Sequence, residues 1–192
     1  MKSLRIRRKA EQNRLSVSVQ SHANRGRSLE TMLNMTNMQY RLHNWALVDK
    51  IPTPIKKVGD YRRGVFLAVW EHKSSVDYQG IYNGRAIVFE AKMCRENTRF
   101  SLSNIAAHQI EYLEQAEQQG AITFLIVEFP KLDETYLVPA NYVVKCWHNA
   151  KAGERKSIPI EAIREFGMRV RTGRGVPLDY LAVVDKLWKR VG

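Results

Sequence analysis

Two cysteines, Cys94 and Cys146, are all that the 192 residues carry. That is too few for a disulfide scaffold or a thiolate zinc site, and it suits a reducing cytoplasm. His22, His43, His72 and His148 keep none of the spacings of a histidine metal site, which argues against zinc. No window approaches the roughly 18 consecutive apolar residues of a membrane span, so no membrane partner is expected. The basic start, Met1 to Lys9, leads into no apolar stretch of the kind a secretory signal needs. Only Glu11 interrupts the bases of Lys2 to Arg14, which leaves a basic amphipathic targeting peptide open. There is no internal repeat, no Walker A loop and no dinucleotide fingerprint.

Acid is the other scarcity. Lys and Arg number 31 against 19 Asp and Glu, a formal net charge of +12. Residues 1–27 hold eight bases and one acid, residues 145–174 eight bases and three acids, and the rest of the chain is neutral. Charge concentrated in this way is what a polyphosphate surface rewards, through counterion release and faster encounter. A basic tail and basic loop without a ligand is the plain alternative. A lipid surface is a weaker one, because few bulky apolar residues alternate with the N-terminal bases. With 44% hydrophobic and 26% charged residues the composition is that of a folded domain, long enough to bury a core. The expected organisation is a flexible basic arm over residues 1–23 and a single domain over residues 24–192.

Along the chain, Ser28 precedes an apolar periodicity compatible with a helix over about 28–43. Trp45 to Val48 reads as a first strand, Pro52 and Pro54 interrupt it, and Gly59-Asp60 suggests a turn before a strand at Val65 to Trp70. Lys56, Lys57, Arg62, Arg63 and Lys73 make residues 55–73 a basic hairpin projecting from the body. Arg85 to Lys92 alternates as a strand, with Ala86, Val88, Glu90 and Lys92 on one face and Ile87, Phe89 and Ala91 on the other. A helix is expected over Leu102 to Gln119, and a central strand covered on both faces over Ala121 to Phe129. Tyr136 to Val138 adds a strand, Asn141 to Trp147 begins another element, and Pro177 to Trp188 closes the chain as a helix. The pattern is that of an α/β layered domain.

Chemistry centres on Glu90-Ala91-Lys92. Residues two apart on a strand share a face, so an acid and an amine can converge on one site. Asp77 lies upstream in Asp77-Tyr78-Gln79-Gly80, where the glycine permits a tight turn. Two carboxylates with waters form the oxygen set that Mg2+ prefers, and Lys92 could orient or help deprotonate a water there. Glu-x-Lys is also common on solvated strand faces, and Asp before Gly is ordinary turn chemistry. The apolar neighbours tip the balance, because a buried Glu and Lys are costly unless paired or bound to a metal. Gln109 shares a helix face with Ile105, Tyr112, Leu113 and Ala116 and could bond the attacking water or a phosphate oxygen. A structural amide is nearly as good a reading. Arg25 and Arg27 precede a helix start, where phosphate is favoured. Glu30 either supports a metal site or simply serves the helix dipole. Arg171 and Arg174, with Arg169, Gly173, Gly175 and Pro177, form a second basic loop that could contact phosphate.

These residues resemble the RecU-type Holliday junction resolvases of Gram-positive bacteria, within the restriction-endonuclease-like PD-(D/E)xK superfamily. The resemblance rests on Asn24-Arg25-Gly26 through Leu29-Glu30, Pro52-Thr53-Pro54, Ser74 through Tyr82 and Phe89-Glu90-Ala91-Lys92. It continues through Phe100-Ser101-Leu102, His108-Gln109-Ile110-Glu111 and Arg155-Lys156-Ser157-Ile158, in family order, over roughly residues 24–188. It implies a restriction-endonuclease-like core, a mixed β-sheet flanked by helices with a projecting stalk hairpin at about 53–73, and a homodimer. It implies Mg2+-dependent paired nicks in four-way junction DNA, with Mn2+ able to substitute, in recombination and repair in a nucleoid-associated, cytoplasmic setting. Asp77 and Glu90 would be metal ligands, Lys92 the catalytic lysine and Gln109 the helical amide of the site. Arg25 and the bases of residues 55–63, Lys56, Lys57, Arg62 and Arg63, would contact DNA. Recombinase and branch-migration proteins are candidate partners. A nuclease for duplex or flap DNA, and a non-catalytic basic architectural protein, are the rival readings.

Overall fold

The computed structural model describes residues 28–62, 65–71 and 75–188. Helix α1, Leu29–Leu42, begins where expected: the Ser28 hydroxyl accepts the Thr31 N–H and caps it. Strands β1 (Leu47–Lys50), β2 (Ile55–Arg62), β3 (Val65–Trp70), β4 (Tyr78–Tyr82) and β5 (Arg85–Met93) follow. Next come β6 (Arg99–Ser101), α2 (Ala107–Gln118), β7 (Ile122–Phe129), β8 (Glu134–Pro139) and α3 (Ala140–Lys151). The described chain ends with β9 (Ser157–Pro159), α4 (Ile160–Phe166), β10 (Met168–Val170) and α5 (Leu181–Leu187).

Six strands form one mixed sheet in the order β1-β4-β5-β7-β8-β10. Only β5 and β7 run parallel; their connection passes through α2, the crossover that parallel strands need. Helices cover both faces. Residues of α1 and α5 pack with Ile87, Phe89, Phe124 and Ile126 on one side. Residues of α2, α3 and α4 pack with Val88, Leu125 and Val127 on the other. The β7 side chains are buried on both faces with only Glu128 partly open, which is why its sequence reads as a nearly unbroken apolar run. Tyr78, Phe89 and Phe124 stack across three adjacent strands at centroid spacings of 4.8 and 4.7 Å, fixing β4 against β5 and β7.

Several boundaries differ from expectation for identifiable reasons. Gly59-Asp60 is no turn: Gly59, at φ +82°, sits inside β2 where the register against β3 shifts between Val58 and Arg62, as at a bulge. Gly80 is no turn either. It lies mid-strand in β4, where a Cβ would fall 2.0 Å from the Leu47 carbonyl oxygen, so the close approach of β1 requires glycine. The helix expected from Leu102 starts only at Ala107, because Leu102–Asn104 forms a single 3₁₀ turn and Ile105 and Ala106 are extended. Ser103 and Asn104 are residue types that favour turns over helix interiors. The closing helix starts at Leu181 and not Pro177, since the Leu181 N–H, which a longer helix would turn to the Pro177 carbonyl, donates to the Tyr40 hydroxyl, and that carbonyl accepts the Thr172 hydroxyl. The basic stretch 145–174 is mostly α3, β9, α4 and β10.

Candidate active site

Antiparallel pairing of β4 with β5 sets Tyr78 opposite Phe89, which brings the residue before β4, Asp77, alongside Glu90. Two main-chain bonds lock the acids crosswise. The Asp77 N–H donates to Glu90 Oε2 at 3.1 Å, and the Ala91 N–H donates to Asp77 Oδ2 at 3.1 Å. The second Glu90 oxygen, Oε1, lies 2.7 Å from Lys92 Nζ and accepts Gln109 Nε2 at 2.5 Å. Gln109 is itself held, because its Oε1 accepts the Ala106 N–H at the start of α2. The Glu90 carboxylate is thus met by the Asp77 N–H and by the side chains of Lys92 and Gln109.

Glu90 has no exposed surface, while the Lys92 side chain keeps 21% of its own. Burial, and then the facing Asp77 carboxylate, push the Glu90 carboxyl up to about 8; Lys92 pulls the other way. One ammonium therefore offsets two carboxylates in a dry setting. On α1, across the sheet, Glu30 Oε1 lies 2.5 Å from Lys50 Nζ. Lys50 pairs in register with Tyr78. The Tyr78 hydroxyl donates to Asn34 Oδ1, and burial, Glu30 and then Asp77 raise it well above the phenol range. Glu30 borders the site without joining it. No sequence signal marked Lys50 or Ala106, since one acts through a strand register and the other through its backbone.

The family model described as "RecU: Recombination protein U" matches residues 24–186. The chain belongs to the RecU family. It is 39% identical over 173 residues to "Holliday junction resolvase RecU" of Geobacillus sp. (strain WCH70), covering 88% of this chain and 86% of that protein. To "Holliday junction resolvase RecU" of Bacillus cereus (strain B4264) it is 36% identical over 189 residues, covering 96% and 94%. Among solved structures it is similar to Archaeoglobus fulgidus Hjc, "a Holliday junction resolvase from an archaeal hyperthermophile". That similarity has a TM-score of 0.42 and 14% identity, and covers 73% of this chain and 94% of the other.

For a RecU-family chain the question is whether this pocket suits a divalent ion. Among the described residues no group of three or more His, Cys, Asp or Glu side chains could hold one. Mg2+ does not need that many: it keeps several waters and takes one or two carboxylates plus substrate phosphate. Two facing carboxylates with a deficit of positive charge, on hard oxygen donors, fit such an ion. The remaining candidates separate into groups. Lys56 and Lys57 are exposed on the β2–β3 ribbon, and Arg62 is the last residue of β2. Arg171 is exposed after β10. Arg174 is committed elsewhere: its guanidinium makes two bonds to Asp179, at 2.7 and 2.5 Å, and lies 4.9 Å over the Trp45 ring. Arg25, Arg27 and Arg63 lie outside the described residues.

Proposed function

We propose that this chain is a structure-specific endonuclease that resolves four-way (Holliday) DNA junctions by Mg2+-dependent phosphodiester hydrolysis, serving recombination and repair. The observation that carries the reading is the convergence of Asp77, Lys92 and Gln109 on the buried Glu90 carboxylate. Asp77 and Glu90 would hold Mg2+, with Mn2+ able to substitute. Bound there, the ion would supply a Lewis acid that neutralises charge growing on the phosphoryl oxygens and acidifies the attacking water.

The chain's own residues do the rest. Crosswise bonding to main-chain N–H groups fixes both carboxylates before substrate arrives, so little reorganisation is left for the reaction. Gln109 holds Glu90 Oε1 in place through an uncharged amide, adding no charge to repel the DNA backbone. Lys92, partly open to solvent, stands beside Glu90, where its ammonium can meet a scissile oxygen or, once neutral, its amine can help deprotonate water. Single-domain organisation over residues 24–192 behind a basic arm at residues 1–23 suits this task, the arm adding phosphate contacts through residues such as Arg25 and Arg27.

Two paired cuts in a substrate of approximate two-fold symmetry call for two sites in matching orientation, which an isologous homodimer supplies. The β2–β3 ribbon would act as the stalk at about 53–73. It forms a separate two-stranded sheet with Ile55, Val58, Phe66, Leu67 and Val69 all exposed, and such a ribbon is marginal alone. The open centre of a junction would cover it, with Lys56, Lys57, Arg62 and Arg63 meeting phosphates. A cytoplasmic setting beside the nucleoid follows from the substrate. Among the described residues no helix is long and apolar enough to cross a membrane.

The test is cleavage of a synthetic mobile junction with Mg2+ titration and strand mapping, against linear duplex of equal length at fixed salt. Metal-dependent nicks at symmetric positions, with at least about tenfold preference for the junction, are expected. A smaller preference would favour a duplex or flap nuclease. No nicking with any divalent ion would favour a non-catalytic binding protein.

A further inference from the structure

Two of the sequence stretches named above, Phe100-Ser101-Leu102 and Arg155-Lys156-Ser157-Ile158, lie more than fifty residues apart and have no part in the site above. The fold pairs them. Strands β6 and β9 form their own antiparallel ribbon with Phe100 opposite Ile158 and Ser101 opposite Ser157. Its inner face is anchored, because Phe100 and Ile158 are buried at 1% and 2% exposure in the same apolar layer as Leu102 and Ile105. Two backbone bonds tie down its ends: Leu102 N–H to the Lys156 carbonyl and Ile160 N–H to the Thr98 carbonyl.

The outer face has no structural occupation of that kind. Alternation places Ser101, Ser157 and Arg99 there, and directly opposed side chains in an antiparallel pair stand about 5 Å apart. The Ser103 hydroxyl joins them, 2.8 Å from Ser101 Oγ, and Arg155 Nε reaches Ser157 Oγ at 3.4 Å. Residues 92–104 and 151–159 together hold six Lys and Arg against two acids, Glu96 and Glu154. Arg95 and Lys156 are exposed and make no ion pair among the described residues. Hydroxyls interleaved with guanidinium and ammonium groups on a rigid two-stranded support are donors for phosphate oxygens, which take contacts from Arg, Lys and Ser alike.

The ribbon's position gives those donors a purpose. Ser103 is three residues from Ala106, whose N–H is bound by the same Gln109 that holds Glu90. Three residues span at most about 10 Å. That is roughly three nucleotides of a strand at about 3.4 Å of rise each, and the Gln109 side chain bridges the remainder from Ala106 to Glu90. Resting on the nuclease reading, we infer that the β6–β9 ribbon is a ledge for the DNA strand being cut. It grips phosphates flanking the scissile one through Ser101, Ser103, Ser157, Arg155 and Lys156.

Phosphate-ethylation interference on a synthetic junction tests this, using full-length protein, Mg2+ for cutting and Ca2+ for binding. For the unaltered chain, ethylation within about three nucleotides of the cut on the cleaved strand should block binding. The R155Q/K156Q variant should lose that interference, bind the junction about tenfold more weakly and show a salt slope smaller by about 1.8, two contacts at about 0.9 each. The S101A/S157A variant, whose hydroxyls carry no charge, should keep the salt slope and lose cutting rate about tenfold at saturating protein. Thermal melts of both variants should overlay that of the parent. If the parent cuts the junction but both variants keep its interference pattern, slope and rate, the ledge is wrong and the nuclease reading stands. If the parent never cuts, the nuclease reading fails and the ledge fails with it.

Discussion

Glu90 and Asp179 are both nearly sealed from solvent, at 0% and 5% exposure, under opposite faces of one sheet, yet their carboxyls are driven in opposite directions. Burial raises both. At Asp179 the bidentate Arg174 and the Tyr40 hydroxyl, 2.8 Å away, overcome it and hold the carboxyl below the ordinary carboxylate range. At Glu90 the Lys92 ammonium, 2.7 Å away, does not make up for burial and the neighbouring Asp77 carboxylate, so the carboxyl is pushed up to about 8. A buried acid with matched charge and hydrogen bonds is a strut. Here it pins the loop after β10, through Tyr40, onto α1. A buried acid with surplus negative charge is what the proposed Mg2+ site would use.

The largest expected effects break this comparison in half. Asp77→Asn and Glu90→Gln should each lower junction cleavage at least about a thousandfold while junction binding survives. Glu90→Gln should leave the metal-free melting temperature unchanged or raised, because it removes a strained charge. Asp179→Asn should do the reverse. It strands the Arg174 guanidinium and should cost about 3 kcal/mol, or roughly 6–12 °C of melting temperature, while cleavage by the folded fraction stays within about threefold. If Asp179→Asn abolished cutting without loss of stability, the strut reading would fail.

Lys92→Ala should come next, slowing cleavage about a hundredfold or more with junction affinity changed less than about threefold. Equal losses in rate and affinity would make Lys92 an anchor for phosphate and remove it from the chemistry. Its effect also sharpens the contrast between the two acids, since loss of the ammonium should move Glu90 further from Asp179 in behaviour.

Much of this site can be read from residue order. The alternation of β5 puts Glu90 and Lys92 on one face, the buried run of β7 marks the centre of the sheet, and Ser28 caps α1. What residue order hides is anything decided by partners distant in the chain. Gly80 looks like a turn glycine until β1 is laid against it. Arg174 sits in a glycine-flanked basic loop that suggests phosphate, yet Asp179, five residues on, claims it within a cage of Tyr40 and Trp45. The β6–β9 ribbon unites segments that no local periodicity connects, and at three residues each its strands are too short to leave a pattern. Charge alone therefore gave Arg174 to the substrate and left Lys156 unassigned.

The smallest effect is the most direct reading of the comparison, because it uses pH to move the two acids separately. A carboxyl lowered on folding, like Asp179, adds stability that is present above its ordinary value of 3.8 and lost as pH falls through the lower folded value. The melting-temperature gap between the parent and Asp179→Asn should therefore be widest near neutrality and close below about pH 4. Glu90 has the opposite sign. Raised from 4.5 to about 8, its contribution is present below the ordinary value and lost as pH climbs through about 8. In metal-free protein the parent should accordingly lose a few degrees relative to Glu90→Gln as pH rises from about 4.5 to about 8, and no more above that. Mg2+, which requires the ionised carboxylate, should restore them at the alkaline end. Parallel melting curves for parent and Glu90→Gln across that range would mean that Glu90 is as well balanced as Asp179, and the distinction between strut and site would then rest on geometry alone.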